Sequence, residues 1–570
     1  MTEPVSEGSD AASMIDVPEP PRPASSIGRS SALLASGTLV SRVLGLVSII
    51  VLSVAIGVNS SAGDTFALAN QLPNNIYSLV AGGLLSAVIV PQIVKSSLND
   101  DGGAGFINKL LTIGFVAVFI VTVIATACAP LLVSLYGGGF RDTNIGLATA
   151  LAYWCLPQIM FYGLYSLLGE TLNARGVFGP FSWAPVLNNV VAIGGLLTFI
   201  ALFGSAMEYK DPSQWTVAEI GLLAGSATLG IAAQAFSLFF FLGRAGIKFR
   251  PDFHWKGVGL GNTGRAASWV FGIFLVSQIS GVVELNVSSS ASGGGNASVN
   301  AMKIGWLMFM LPHSIVTVSI VTAYFTRMST HVRDGHFDEL RNDISSAIRS
   351  ILLIMIFAAV GLAVLSLPFS AVFGNNYDEV VSLAGVYLGF LTGLVPFTVF
   401  FVLLRVYYAL GKTRWAFFIQ VIQTSVYVVL ALLVGALAPS EWTAVGLTLA
   451  LTTAVTVQAV LSALVLRRHL GQLDVSRVVV QALWFLAAAI PAGAAGWGIL
   501  QLLGGVGPDA FPVFNRLDAI LSMAAAGSAM AVVYFGVLWL SRNPELRAFG
   551  EPLIEKLRRK TARSTPGNST

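Results

Sequence analysis

The chain has 570 residues, a formal net charge of +4 and 55% hydrophobic residues, while only 11% of its residues are charged. A soluble globular domain is about one quarter charged, and here the apolar residues come in long blocks. These features exclude a soluble protein, a disordered chain and a collagen-like fibre. Because a spanning helix needs about 20 apolar residues, we predict an all-α polytopic membrane protein. Cys128 and Cys155 both lie inside apolar blocks, which gives no basis for a disulfide framework or a thiolate metal site.

The first 30 residues differ from everything that follows. They are acidic and rich in Ser and Pro, so they cannot bury enough apolar surface to fold. They also lack the basic start and short apolar core of a cleavable signal peptide. We therefore expect residues 1–30 to form a disordered cytoplasmic tail.

Fourteen apolar blocks follow this tail, each long enough to cross a bilayer. We predict spans near 31–57, 65–94, 108–136, 143–169, 181–204, 219–243, 267–287, 299–326, 345–374, 379–408, 415–438, 443–467, 478–504 and 515–541. The predicted regions are an N-lobe (31–243, spans one to six), a basic cytoplasmic linker (244–266), a C-lobe (267–467, spans seven to twelve), spans thirteen and fourteen (468–541) and a basic cytoplasmic tail (542–570).

Basic residues are distributed unevenly between the two sets of loops. One set offers only Arg141, Lys210 and Arg516. The other set holds Lys95, Lys109, Arg175, Arg244, Lys248, Arg250, Lys256, Arg265, Arg327, Arg333, Arg341, Arg349, Lys412, Arg414, Arg467, Arg468, Arg477 and the tail from Arg542 to Arg563. By the positive-inside rule the richer side is cytoplasmic, and an even number of spans places both termini there.

Two motif pairs indicate an internal duplication. Leu72-Pro73-Asn74-Asn75-Ile76 in span two is matched 239 positions later by Leu311-Pro312-His313-Ser314-Ile315 in span eight. The ends of spans four and ten, at Glu170 and Arg405, are 235 positions apart. Because six spans are an even number, both units face the same way, and substrate sites of such transporters lie between the halves near the midplane. We therefore predict two parallel six-helix lobes around a central cavity, plus two C-terminal helices.

Several ionisable residues lie within the predicted spans. Inserting one such residue at the centre of a membrane helix costs about 2.5–3.5 kcal/mol of free energy. These residues therefore usually face a water-filled cavity or a partner. The candidates for substrate binding in the cavity are Arg42, Glu284, Lys303 and Arg405. Alternatives remain open, since Arg42, Arg405 and Glu170 could snorkel from helix ends, and Lys303 and Glu284 could face the outer solvent.

The predicted gating residues are Asp64, Pro73, Asn74 and Pro312. Asp64 begins span two on the outer side, where an ordinary helix N-cap is the alternative role. Proline bends a helix and frees backbone carbonyls, which explains the choice of Pro73 and Pro312. The Gly- and Ser-rich segment Ser288–Ser298 is either a loose connection or a hinge that closes the outer mouth.

Other apparent motifs do not indicate catalysis. The string Gly259-Leu260-Gly261-Asn262-Thr263-Gly264 fits a dinucleotide fingerprint but follows a basic loop rather than a strand. The chain has no P-loop, and its five histidines show no metal spacing. We expect neither enzyme activity, a cofactor, a metal site nor a nucleic-acid partner, and we predict transport driven by membrane potential or an ion gradient.

Four short motifs carry a family resemblance: Ser41-Arg42-Val43-Leu44-Gly45, Gly63-Asp64-Thr65-Phe66, Leu72-Pro73-Asn74 and Ser86-Ala87-Val88-Ile89-Val90-Pro91. Together they resemble the opening of the MviN/MurJ lipid II flippases, which belong to the multidrug/oligosaccharidyl-lipid/polysaccharide exporter superfamily, and the resemblance covers roughly residues 31–540. It implies a protein of the bacterial plasma membrane that exports lipid II, the undecaprenyl-pyrophosphate-linked peptidoglycan precursor, to the outer leaflet by alternating access. It also implies that Arg42 contacts the cargo and that Asp64 belongs to a gate on the outer side.

The chain departs from this family at most of the expected cavity cations. Charged residues that are usual in the family are replaced by Ser48, Tyr77 and Gly82. The position of the family's cavity arginine in span eight is occupied by Leu307. Either Lys303, one turn earlier, replaces this cluster, with Arg405 as a weaker candidate, or the cargo differs. The alternatives are an exporter of another polyprenyl-linked saccharide or of drugs, and a non-transporting scaffold for cell-wall enzymes. The expected partners are lipid II, membrane lipids and cell-wall synthesis enzymes.

Overall fold

The computed structural model describes residues 24–80, 104–205 without 176 and 178, 210–253 without 247 and 248, and 264–547 without 294. Several predicted features lie outside these residues. They are most of the N-terminal tail, the motif at 86–91, the Gly-rich string at 259–264 apart from its last residue, part of the basic linker and the chain beyond 547. In the described ranges every regular element is a helix and no strand is present.

In the residues that the structure describes, the N-lobe contains nine α-helices: α1 (Ala24–Ile56), α2 (Ser61–Val80), α3 (Ala104–Ala127), α4 (Ala129–Tyr136), α5 (Asp142–Cys155), α6 (Gln158–Ala174), α7 (Gly179–Phe203), α8 (Val217–Ser237) and α9 (Phe239–Leu242). The C-lobe contains α10 (Gly264–Ser289), α11 (Val299–Pro312), α12 (Val318–Asp334), α13 (Phe337–Val364), α14 (Ser366–Ala371), α15 (Tyr377–Leu391), α16 (Leu394–Ala409), α17 (Thr413–Leu437) and α18 (Ser440–Leu470). The C-terminal helices are α19 (Val475–Leu502), α20 (Phe511–Phe514) and α21 (Arg516–Leu540).

The described helices match the predicted spans closely. Twelve helical stretches are long and apolar enough to cross a membrane, if α5 is joined with α6 and α11 with α12. A thirteenth is formed if α15 and α16, which meet at an angle of 42°, are counted as one bent span. The remaining predicted span, near 65–94, begins as α2 and extends past the last described residue of that segment, Val80. The prediction of an all-α polytopic membrane protein is confirmed.

Breaks in the helices support the internal duplication. The fourth predicted span is interrupted just before Gln158 and the tenth just before Leu394, which are 236 positions apart. The third is interrupted at Cys128 and the ninth at Leu365, which are 237 positions apart. Both offsets fall between the two offsets of the sequence motifs, so the two lobes repeat not only motifs but also the places where their helices bend.

Each lobe has its own hydrophobic core. The N-lobe core is built from α2 to α8 and the end of α1. The C-lobe core also takes in α19 and α21, which pack beside α13. Small residues allow close helix packing, as membrane helices require. On α7, a side chain at Gly195 would collide with Ser226 of α8, and on α19 one at Gly496 would collide with Met530 of α21. Leu285 and Val299 of the C-lobe join the N-lobe core, so the lobes also contact each other directly.

Candidate substrate cavity and outer gate

Two adjoining cavities lie between the lobes, with volumes of about 240 and 690 Å³. Asn70, Tyr162, Lys303 and Leu307 line both of them, so the cavities meet at these side chains. The smaller cavity extends along the N-lobe helices α1, α7 and α8, and the larger one extends into the C-lobe. The central cavity predicted from the duplication is therefore present where the two halves face each other.

Among the described residues that line these two cavities, Lys303 is the only cationic one. It lies in the second turn of α11, and within the described ranges its amine forms no ion pair with an acidic side chain. A cation that its own protein leaves uncompensated within low-dielectric walls attracts an anionic ligand. The structure thus places the lysine predicted from the sequence at the junction of the two compartments.

Glu284 of α10 lines the larger cavity. Its carboxylate accepts a hydrogen bond from the hydroxyl of Tyr427 on α17, with an O–O distance of 3.2 Å. It does not form an ion pair with Lys303. Both residues thus face the cavity rather than the outer solvent, and Glu284 contributes an acidic group away from the lysine.

The two predicted arginines lie outside the lining of both cavities. Arg42 of α1 is half-buried, and its Nη1 donates a hydrogen bond of 2.7 Å to Oγ of Ser314 in the other lobe. The guanidinium of Arg405 lies over the rings of Phe401 and Phe325, 5.1 and 5.7 Å from their centroids. Arg42 thus joins the lobes, whereas Arg405 packs within the C-lobe, and their roles in cargo binding stay predictions.

Asp64 does not cap its own helix. That position belongs to Ser60, whose Oγ accepts a 2.8 Å hydrogen bond from the amide of Gly63. The fully buried carboxylate of Asp64 instead accepts hydrogen bonds from the Asn300 amide at 2.9 Å and from the Ser292 hydroxyl at 2.6 Å. Because Asn300 lies in the first turn of α11, this carboxylate of the N-lobe satisfies an unpaired amide and the positive dipole end of a C-lobe helix.

Glu379 of the C-lobe makes the reciprocal contact. Its Oε1 accepts a 3.2 Å hydrogen bond from the amide of Val58, which belongs to the N-lobe turn before α2. The amide side chain of Asn300 donates to the Gly57 and Val58 carbonyls at 3.2 and 3.0 Å. Gly57 has φ +77°, a backbone conformation that residues with a side chain rarely adopt. A glycine is therefore favoured in this turn, whose carbonyl groups contact the C-lobe. Because Asp64 is a predicted gating residue on the predicted outer side, we refer to Val58, Asp64, Asn300 and Glu379 as the outer gate; the gating role itself stays a prediction.

The segment Ser288–Ser298 is packed rather than loose. Most of its described side chains are buried, and Ser298 Oγ donates to the Ser288 carbonyl at 2.8 Å, which closes the loop on itself. The amide side chain of Asn59 in the N-lobe donates to the carbonyl of Gly295 at 3.2 Å and to Ser382 Oγ at 2.7 Å. Of the two alternatives, these contacts disfavour a plain loose connection, because the N-lobe supplies hydrogen-bond partners that the sequence alone could not assign.

The two prolines differ in their local structure. α2 passes through Pro73 without interruption, and the following residue, Asn74, lines the larger cavity. Pro312 ends α11 and is followed by a single π-helical turn, His313–Thr317, before α12 begins. Because proline has no amide hydrogen and clashes with the preceding turn, a local widening of the helix is the expected response, and such π turns are frequent at functional sites.

Sequence reasoning missed the C-lobe side of the gate and the amide groups of the cavity. Glu379 lies in the first turn of α15, and Asn376 caps that helix, so both follow an ordinary helix-start pattern. Asn300 and Gln458 carry no charge and therefore did not stand out among the apolar residues. A helical projection of spans ten and twelve would have drawn attention to their polar residues, but not to the lobe that each one contacts.

Comparisons with known proteins agree with this architecture. The family described as "Lipid II flippase MurJ" matches residues 40–507 of the chain. Among curated relatives, the "Probable lipid II flippase MurJ" of Vibrio cholerae serotype O1 is 28% identical over 499 residues, covering 83% of this chain and 88% of the relative. The protein of the same name from Haemophilus influenzae is 28% identical over 492 residues, with 81% and 90% covered.

Solved structures show the same fold. "Lipid II flippase MurJ, inward closed conformation" aligns with a TM-score of 0.68 at 18% identity, covering 92% of this chain and 100% of that one. An inward-facing multidrug resistance MATE family transporter of the MOP superfamily aligns with a TM-score of 0.59 at 15% identity, covering 78% and 99%. Since the family matches most of the chain, from the first span to the thirteenth, this protein belongs to the MurJ family of lipid II flippases.

Proposed function

We propose that this protein moves lipid II from the inner to the outer leaflet of a bacterial plasma membrane, with the pyrophosphate of the cargo bound at Lys303. The observation that carries this proposal is a cation at the junction of two cavities between the lobes, with no acidic partner among the described residues. A pyrophosphate that crosses an apolar region needs charged partners. The lipid chain remains in the bilayer while the head group passes between the lobes.

The outer gate supports alternating access. Hydrogen bonds between the lobes gather at the gate and the adjoining loops, on the side that the basic residues predict to be outer. Deeper in the interface between the lobes, Arg42 contacts Ser314. These contacts are hydrogen bonds rather than covalent or ionic links, so a rocking motion of the two lobes would break and re-form them, which suits a cycle that opens one end at a time.

Membrane potential supplies a driving force in the export direction. Moving one elementary charge across 100 mV is worth about 2.3 kcal/mol, so two negative charges moving outward gain about 4–5 kcal/mol when the interior is negative. With both termini in the cytoplasm, as the distribution of basic residues predicts, the head group would enter from the negative side. Coupling to an ion gradient is the alternative source of energy.

A second candidate function is export of a cationic drug, which Glu284 favours because it places a carboxylate in the larger cavity. Recruitment of cell-wall enzymes as a scaffold is a third. Both differ from a flippase in their response to removal of positive charge. A drug exporter would tolerate loss of Arg42 and Lys303, and a scaffold would not need them at all.

The deciding experiment replaces the resident lipid II flippase of a bacterial cell by this protein and measures lipid II in each leaflet. We expect the wild-type protein to restore lipid II in the outer leaflet, and the double variant Arg42→Ala with Lys303→Ala to leave it on the inner side. Outer-leaflet lipid II restored equally by the double variant would show that the cargo does not need Arg42 and Lys303, whereas no restoration by the wild-type protein would favour a scaffold. Failure of the wild-type protein, combined with resistance to cationic drugs, would favour the drug exporter.

A further inference from the structure

The C-lobe side of the larger cavity carries uncharged polar groups next to an aromatic surface. Trp306, Gln420, Gln423 and Gln458 all line it, on α11, α17 and α18. We propose that these four residues form a saccharide-binding subsite, which holds the sugar of the cargo while Lys303 holds its pyrophosphate. This inference rests on the proposed function and names the part of the head group that the C-lobe recognises.

Trp306 is held in position by three phenylalanine rings. Its ring lies 5.2 Å from that of Phe309, in a stacked orientation, and 5.7 and 5.9 Å from those of Phe390 and Phe397, in edge-on orientations. Aromatic neighbours of this kind fix a side chain without using hydrogen bonds. A rigid aromatic surface in a pocket suits the apolar face of a sugar ring, whose C–H groups pack against it.

The three glutamines form a chain of hydrogen bonds with free groups at its ends. Gln458 Nε2 donates to Gln420 Oε1 at 2.9 Å, and Gln420 Nε2 donates to Gln423 Oε1 at 2.8 Å. In the part of the chain that the structure describes, Nε2 of Gln423 and Oε1 of Gln458 form no hydrogen bond. Gln423 and Gln458 are 5% and 3% exposed, so a donor and an acceptor remain available at the wall of an enclosed space.

The chemistry of this wall suits a sugar better than an ion. The hydroxyl and acetamido groups of a sugar both donate and accept hydrogen bonds. Nε2 of Gln423 can donate to such groups, and Oε1 of Gln458 can accept from them. The carboxylate on the same side, Glu284, is already hydrogen-bonded to Tyr427. A neutral polar ligand therefore satisfies the free groups without bringing a charge beside the acidic one.

The positions on α11 connect the two parts of the site. Lys303 and Trp306 are three residues apart, and residues at this spacing are neighbours on one face of a helix, about one turn apart. In the cargo, the pyrophosphate is bonded directly to the first sugar. A phosphate at Lys303 thus places that sugar at Trp306, with the larger cavity, of about 690 Å³, beyond it.

The test measures binding of two lipids to the purified full-length protein in detergent, by native mass spectrometry. One is undecaprenyl pyrophosphate without sugar, and the other is the same lipid carrying the N-acetylated disaccharide. The variants are Trp306→Ala, Trp306→Tyr and Gln458→Leu, with Trp442→Ala, an exposed tryptophan of α18, as the matched control. Folding of each variant is checked by gel filtration and thermal unfolding.

We expect the wild-type protein to bind the sugar-bearing lipid more tightly than the bare one. Trp306→Ala and Gln458→Leu should each reduce this preference by about tenfold, which is the effect of losing a central contact in a desolvated site. Neither variant should change the affinity for the bare lipid. Trp306→Tyr, which keeps an aromatic face, should retain most of the preference. Trp442→Ala should behave as the wild type.

Two outcomes overturn the subsite while leaving the proposed function intact. In the first, wild-type protein binds both lipids equally well. In the second, the variants weaken both lipids to the same extent or neither, which assigns the wall to the peptide part of the head group or to packing. If the wild-type protein binds neither lipid, or if Lys303→Gln has no effect on the bare lipid, the proposed function itself fails.

Discussion

Lys303 is the residue on which the proposed transport depends most directly. It is the single cation in the lining of the two described cavities, so no neighbouring arginine replaces its charge there. Hydrogen bonds to charged groups are worth about 1.5–3 kcal/mol, and each 1.4 kcal/mol is a factor of ten. Because an ammonium is a point charge, an arginine at the same position keeps the charge but changes the geometry of phosphate binding.

We therefore predict that Lys303→Gln lowers affinity for undecaprenyl pyrophosphate by at least about tenfold and that Lys303→Arg retains part of it. Binding of the purified variants to this lipid, measured by native mass spectrometry, checks the prediction. Arg477→Gln, which removes an exposed positive charge at the start of α19, is the control and should have no effect. Equal affinities of Lys303→Gln and the wild-type protein would assign phosphate binding elsewhere.

Asp64 and Glu379 form a pair of exchanged contacts at the outer gate, each accepting a backbone amide of the opposite lobe. We predict that Asp64→Asn and Glu379→Gln each weaken the closed gate, because a neutral amide oxygen is a poorer acceptor than a carboxylate. The measurement uses Ser288→Cys, a buried position in the wall of the larger cavity, in protein whose two native cysteines are replaced by alanine. Labelling by a membrane-impermeant thiol reagent added from outside should accelerate by about tenfold or more.

The matched control is Asp142→Asn, an exposed carboxylate in the first turn of α5 on the same predicted side. It should leave the labelling rate of the cysteine unchanged. If Asp64→Asn and Glu379→Gln also leave it unchanged, the two carboxylates stabilise the folded lobes rather than the closed gate.

At the scale of elements, the helices of span two and span eight carry equivalent prolines with different outcomes. α2 continues through Pro73, whereas the helix that contains Pro312 widens into the π turn His313–Thr317. This turn contains Ser314, the partner of Arg42 in the contact between the lobes. A bend in span eight would therefore move this contact between the lobes relative to α11, which carries Lys303.

We predict that Pro312→Ala reduces the rate of lipid II transport severalfold while the protein stays folded, because the restored helical hydrogen bond stiffens the bend. Pro73→Ala should have a smaller effect. Transport by reconstituted protein, measured in proteoliposomes, tests both. Pro491→Ala in α19, which is exposed and outside the lobes, is the control. A rate unchanged in Pro312→Ala would show that the turn is static during transport.

At the scale of the molecule, the proposed transport cycle requires the two lobes to separate at the outer gate. Asn59 and Ser382, which are hydrogen-bonded across the lobes at 2.7 Å, offer a position for a reversible link. We predict that Asn59→Cys with Ser382→Cys, in the background without native cysteines, loses transport when a short thiol-reactive cross-linker joins the pair and regains it on reduction. Each single cysteine variant should keep its activity under the same treatment. Undiminished transport by the cross-linked protein would exclude opening at this end.

Much of the architecture follows from the sequence because the bilayer permits few solutions. A spanning segment must satisfy its own backbone hydrogen bonds, so each long apolar block becomes a helix. Motif offsets of 235 and 239 positions likewise identified the duplication, and the structure repeats it in helix breaks 236 and 237 positions apart. Lys303 and Asp64 were found because a charge within an apolar block is rare.

The contacts that make a site were decided by the tertiary structure. Asp64 and Asn300 are 236 positions apart, and Asn300, like Trp306 and Gln458, is neutral and carries no signal that distinguishes a cavity wall from a helix interface. Arg405 and Lys303 looked alike in sequence, yet one lies over phenylalanine rings and the other lines the cavity. The amphipathic pattern and charge of a helix determine that it spans the membrane, whereas its rotation and its partner in the other lobe depend on packing across the whole molecule.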